Sequence, residues 1–104
     1  MLKIGDFSKM SKLTIKALRY YEKEGLVIPK YTDELTGYRY YENNQLIEIA
    51  RIISLKQAGL SIEEIKRIML NNEPIENILK VRKEKLEKTI YEYNYQLSKL
   101  NYLL

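Results

Sequence analysis

The sequence predicts a mainly α-helical fold that carries one small β-hairpin and ends in a long helix. Three observations predict it. Residues 14–26, TIKALRYYEKEGL, sort into an apolar and a polar face when placed on a helix. Residues 29–41 are rich in Tyr and Thr around a Thr36-Gly37 turn signal, which reads as a hairpin. From Ile75 to Leu104 neither Pro nor Gly interrupts an apolar repeat.

Taken in order, Leu2-Lys3-Ile4 reads as a very short strand or an extended lead-in, and residues 5–10 as a first helix with Ile4 and Phe7 inward. Residues 11–13 are a tight connection. Thr14 then caps the second helix by accepting from a backbone N–H of the first turn, and Gly25 ends it in the left-handed conformation. Ala17, Leu18 and Tyr21 form the core stripe of that helix. Lys16, Arg19, Tyr20 and Lys23 form one continuous open face. Two short helices joined in this way make a helix-turn-helix. An open face of cations and a phenol suits a DNA major groove, although an ordinary solvated surface helix has the same pattern.

Strands over Pro29–Tyr31 and Tyr38–Tyr41, closed by a loop over Thr32–Gly37, would form a wing beside the helix-turn-helix. Alternation places Arg39 and Tyr41 on one face, read as outward, and Tyr38 and Tyr40 on the other. The same hairpin can also serve merely to close the core. A third helix over 44–57, with Asn43 as its cap, is apolar nearly all round, so it should be covered on more than one side. Gly59 ends it. Ser61 and Glu64 then form a capping box for a fourth helix that runs to about Leu70, with Ile62, Ile65, Ile68 and Met69 inward. Pro74 opens the last helix. There Leu79, Leu86, Ile90, Tyr93, Leu97, Leu100 and Leu104 are candidate dimerisation residues, in a heptad rhythm from Leu86 onward. A rod of roughly 45 Å with an apolar seam is most simply paired with a second copy of itself. Lys83 falls on the seam and should weaken pairing at that end.

Composition narrows the function. Eighteen Lys and Arg against 14 Asp and Glu give a net charge of +4, spread without a polybasic tail. Any nucleic-acid contact must therefore come from individually placed side chains. The chain has no Cys and no His. That removes disulfides, thiolate chemistry, the usual zinc sites and the commonest general base. An enzyme is the reading least supported, since the carboxylates lie on exposed helix stripes. No apolar run spans a membrane and no signal-peptide core is present, so a cytoplasmic protein is expected.

Several stretches together resemble one family. IGDFSKMSKLTIKALRYYEKEGL resembles the opening helix-turn-helix of MerR-type transcription regulators. TGYRYYENNQLIEI resembles their wing and the start of their third helix, and LKQAGLSIEEIKRIM their third-to-fourth helix connection. The C-terminal helix resembles their dimerising coil, and the IKALRYY wording is nearest to the multidrug-responsive branch. The resemblance implies a winged helix-turn-helix over residues 1–72 and a dimerisation helix over 73–104, paired as an antiparallel coiled coil. The effector domain that usually follows is absent from these residues, which fits either a DNA-binding fragment or a short stand-alone member.

It also implies a bacterial, nucleoid-associated homodimer on double-stranded DNA. Such a dimer distorts an overlong promoter spacer and so serves RNA polymerase indirectly, with no cofactor, metal or membrane. By position match, Lys16, Arg19 and Tyr20 would meet bases and phosphates, with Arg19 the best candidate for guanine. Thr14, Tyr38, Arg39 and Lys56 would hold phosphates. Other readings remain open at this point: an architectural or excisionase-type DNA-binding protein, and a coiled-coil adaptor that binds only protein.

Overall fold

The computed structural model describes residues 1–104 as three short strands and five helices. They divide into two compact units, Met1–Asn71 and Asn72–Leu104. The first unit begins with β1 (Leu2–Lys3) and runs directly into α1 (Ile4–Ser11), which buries Phe7 completely. Lys12, in the left-handed region at φ 63°, turns the chain sharply out of α1.

Helix α2 (Ile15–Lys23) follows after Leu13 and Thr14. The Thr14 hydroxyl accepts from the Ala17 N–H at 3.0 Å, as its position before the helix predicts. Gly25, at φ 75°, donates to the Glu22 carbonyl, and Leu26 donates to that of Tyr21. Those two bonds are a Schellman ending, which only a residue tolerant of positive φ allows. Leu18 is fully buried, Ala17 and Tyr21 are half-buried, and Lys16, Arg19 and Lys23 are exposed. The two faces fall as the sequence spacing requires.

Strands β2 (Tyr31–Thr32) and β3 (Arg39–Tyr41) form the hairpin, both later and shorter than the sequence suggests. Asp33 sets that boundary. Its carboxylate accepts from the Leu35 and Thr36 N–H groups at 2.8 and 3.0 Å, so the chain turns immediately after Thr32. These bonds, the Thr36 one first, hold the Asp33 carboxyl below its usual range. Their support for the loop is present above the ordinary carboxylate range and is lost as the pH falls through the depressed pKa. The lead-in at Leu2–Lys3 joins the same sheet, giving the antiparallel order β1-β3-β2 with Leu2 opposite Tyr41 and Tyr31 opposite Tyr40.

The sequence assigned the faces of β3 the wrong way round. Tyr41 is fully buried, its ring stacked on Phe7 at 4.3 Å, and Arg39 on the same face is half-buried toward α2. Tyr38 is exposed, and the half-buried Tyr40 lies beside the Tyr31 ring. Alternation is obeyed, but the Phe7 stack makes the Arg39–Tyr41 face the inner one.

Helix α3 (Gln45–Gln57) buries Ile49, Ile52 and Leu55. Asn43 does not cap it; Asn44 occupies the cap position and makes no side-chain bond there. The buried Gln45 does the anchoring instead. Its amide accepts from the Glu42 N–H at 2.9 Å and donates to the Ile28 carbonyl at 2.7 Å, tying the helix start to the segment after α2. Both α1 and α4 pack on α3, but Ile47 and Ala50 stay exposed, so one face of it is left open. Gly59 ends it with φ 86°, and Leu60 behind it is buried. Helix α4 (Ile62–Met69) opens on the complete Ser61–Glu64 capping box and buries Ile65 and Ile68.

The second unit is essentially helix α5 (Ile75–Leu103), which begins after Pro74. Leu79, Leu86, Ile90, Tyr93, Leu97 and Leu100 are exposed on it, as is Leu104 just past its end. No helix of the protein is long and apolar enough to cross a membrane.

Candidate nucleic-acid interface

The candidate site is built on α2, on the sheet and on the start of α1. Capping at Thr14 and the Schellman ending at Gly25 fix both ends of α2, while Leu18 fixes its rotation by filling the core. Lys16, Arg19 and Lys23 therefore project from the surface as a set. Tyr20, 40% exposed, packs edge-on against Tyr21 with ring centroids 5.8 Å apart, which presents its phenol on the same side. Burial raises the Tyr21 hydroxyl pKa, with the Tyr20 hydroxyl adding to the effect.

Between α2 and the sheet lies a groove of about 360 Å³. Arg19 lines one side, Tyr38 and Arg39 another, and Lys3 and the first residues of α1 the floor. Three of the predicted residues thus meet in one concave, cation-rich surface. The Lys3 ammonium stands 5.7 Å from the centre of the Tyr38 ring, a cation–π distance. Lys3 escaped the sequence analysis because a lone Lys in a two-residue strand carries no pattern. Lys16 and Tyr20 do not line this groove but stay on the open face of α2, and Lys56 is exposed in the last turn of α3. Thr14 is exposed at the α2 cap, its hydroxyl oxygen already accepting from Ala17.

Two ion pairs hold α2 against its neighbours. Arg39 Nε donates to Glu22 Oε1 at 2.5 Å, linking the sheet to α2. Lys66 of α4 pairs with Glu24, just beyond the end of α2. The hydrogen bond that Lys66 donates to the Glu24 carboxylate, more than the Glu24 charge, raises the Lys66 pKa against an opposing effect of desolvation. Burial raises the Tyr41 pKa, the Glu22 charge raises it further, and the Arg39 and Arg19 charges oppose both. Arg19, Glu22, Arg39 and Tyr41 are thus one electrostatic cluster where the helix meets the sheet.

Residues 2–72 match the family described as "MerR HTH family regulatory protein". The chain belongs to the MerR family. It is 50% identical over 64 residues to the Multidrug-efflux transporter 1 regulator of Bacillus subtilis, a match covering 62% of this chain and 23% of that protein. It is also 36% identical over 100 residues to the HTH-type transcriptional regulator CueR of Salmonella typhi, covering 95% of this chain and 71% of that one. Among solved structures it resembles the EcmrR–DNA complex in EcmrR-RPo, with 37% identity and a TM-score of 0.86 over 98% of this chain and 38% of that one. The chain thus spans less than a quarter of the multidrug-efflux regulator and well under half of EcmrR. Its mainly helical fold with a small antiparallel sheet is that of the family.

Proposed function

We propose that the chain binds a pseudo-palindromic operator as a homodimer and activates transcription by distorting an overlong promoter spacer. The observation that carries this reading is the pairing of a capped, rotationally fixed α2 with a groove where Arg19, Tyr38, Arg39 and Lys3 converge. On it, α2 enters the major groove with Arg19 reading a base and Lys16 and Tyr20 at its flanks. Tyr38, Arg39 and Lys56 hold backbone phosphates, and Thr14 adds a hydroxyl at the helix start. The region over residues 1–72 makes these contacts. The helix over 73–104 brings two copies together through its exposed seam as an antiparallel coiled coil. Bending and untwisting a short duplex costs several kcal/mol, which two sets of phosphate contacts can offset. Such a regulator works in the bacterial cytoplasm, on the nucleoid.

A footprint titration on the DNA upstream of the chain's own gene, at two salt concentrations, tests the proposal. One two-fold-related protected site between promoter elements, with enhanced cleavage at its centre, is the expected result. Weak, uniform protection that disappears at the higher salt would instead indicate an architectural protein.

Arg19→Ala is expected to lower affinity by about 1–3 kcal/mol and to relax preference at one base position. Equal losses on operator and random duplexes would reassign Arg19 to phosphate. Lys56→Ala is expected to weaken binding to every sequence alike and to make the salt slope shallower by about one unit. An unchanged slope would remove Lys56 from the phosphate-binding set.

A further inference from the structure

A carboxylate in a surface meant for a polyanion is at first sight a liability. Glu22 nevertheless lies between Arg19, three residues earlier on the same helix, and Arg39 of the sheet. Its Oε1 accepts from Arg39 Nε at 2.5 Å, and both side chains keep 28–30% of their exposure. A guanidinium carries five donors, and this bond engages the inner one. That leaves the four donors of the terminal nitrogens, on a residue that lines the groove with Lys3 and Tyr38.

Tyr41 reinforces the arrangement from below. Its ring is fixed by the Phe7 stack, and its buried hydroxyl has no hydrogen-bond partner of its own. That hydroxyl therefore does not divert Glu22 from Arg39. An arginine at the end of a three-residue strand would otherwise sample many rotamers, and fixing it in advance removes that ordering cost from binding.

We infer that Glu22 is a positioning residue for DNA: its carboxylate holds Arg39 by Nε and aims the terminal guanidinium nitrogens at a backbone phosphate. The inference rests on the DNA-binding reading proposed above and adds to it a residue that makes no DNA contact of its own. It predicts a sign opposite to that of simple electrostatics. Removing a negative charge from a DNA-binding face should tighten binding; if Glu22 positions Arg39, removing it weakens binding.

The test compares the wild-type chain, Glu22→Ala, Arg39→Ala and the double variant on the duplex protected upstream of its own gene. Affinities are measured at several salt concentrations. Glu22→Ala, which has no acceptor for Arg39 Nε, is expected to lose about three- to tenfold in affinity, as for one lost positioning hydrogen bond. Glu22→Gln keeps an amide oxygen that can accept from Nε and is expected to restore part of the loss. The salt slope of Glu22→Ala should become shallower by about one unit, like that of Arg39→Ala, because the same phosphate contact is lost. In the Arg39→Ala background, Glu22→Ala should cause no further loss. A purely structural role would lower the melting temperature and leave the slope unchanged. Wild-type affinity or better for Glu22→Ala overturns the inference and leaves the DNA-binding reading intact. A further loss in the double variant also overturns it. Absence of any protected site for the wild-type chain overturns both.

Discussion

Leu97→Asp is expected to convert the protein into a 12.4 kDa monomer and to abolish tight operator binding. Leu97 is 55% exposed on α5, and the seam residues on either side of it, Tyr93 and Leu100, are exposed as well. In the proposed dimer, burying each such side chain against the second copy is worth about 1.5–3 kcal/mol and is the drive for association. A carboxylate in its middle would have to be desolvated without a partner, which costs more than the leucine contributes. Loss of the second copy makes the other half-site contact intermolecular, at a cost on the order of 10²- to 10⁴-fold in affinity. Sedimentation equilibrium reads the mass and the footprint reads the binding. A monomer that retains full affinity would refute the two-half-site proposal.

Phe7→Ala carries the second large effect. Truncating a buried Phe costs about 3–5 kcal/mol. Phe7 is fully buried and is also stacked on Tyr41 at 4.3 Å with an interplanar angle of 9°. A small domain holds only about 5–15 kcal/mol in all, so most of its stability would go. The lost ring is also the surface against which β3 is seated, so whatever folded protein remains should bind DNA poorly. Urea unfolding is expected to show a much lower midpoint at unchanged m-value. A midpoint near that of the wild type would mean that Phe7 is not the keystone of this core. Phe7→Leu retains most of the apolar volume without the stack, and it separates stability from the placement of Arg39.

Local signals were read correctly from the sequence because they are complete within a few residues. Thr14 and Ala17, Gly25 and Leu26, and Ser61 and Glu64 each make their bonds within one helical turn or ending. The parity of β3 was not legible in the same way. Alternation says that Arg39 and Tyr41 share a face, but not which face, and tyrosine is at home in a core or on a surface. Phe7 decides it, more than thirty residues earlier in the chain. The start of α3 repeats the lesson. Asn43 looks like a cap locally, yet Gln45 anchors the helix through the Ile28 carbonyl, 17 residues away. Of the candidate site, the sequence showed the cations on α2 and the wing. It did not show Lys3 or Glu22, whose roles depend on the strand pairing and packing that bring them beside Tyr38 and Arg39.

The strand order β1-β3-β2 makes the beginning of the chain a structural seal. Leu2 and Lys3 pair with Tyr41 and Tyr40 on one side of β3, and Tyr31 and Thr32 pair with Tyr40 and Arg39 on the other. Trimming Met1–Lys3 by a protease would leave the tyrosine-rich β3 with an unpaired row of backbone donors and acceptors along one side. Such an open border recruits strands from other chains. A clipped preparation is expected to associate edge to edge more readily, within the limit set by the three-residue length of β3.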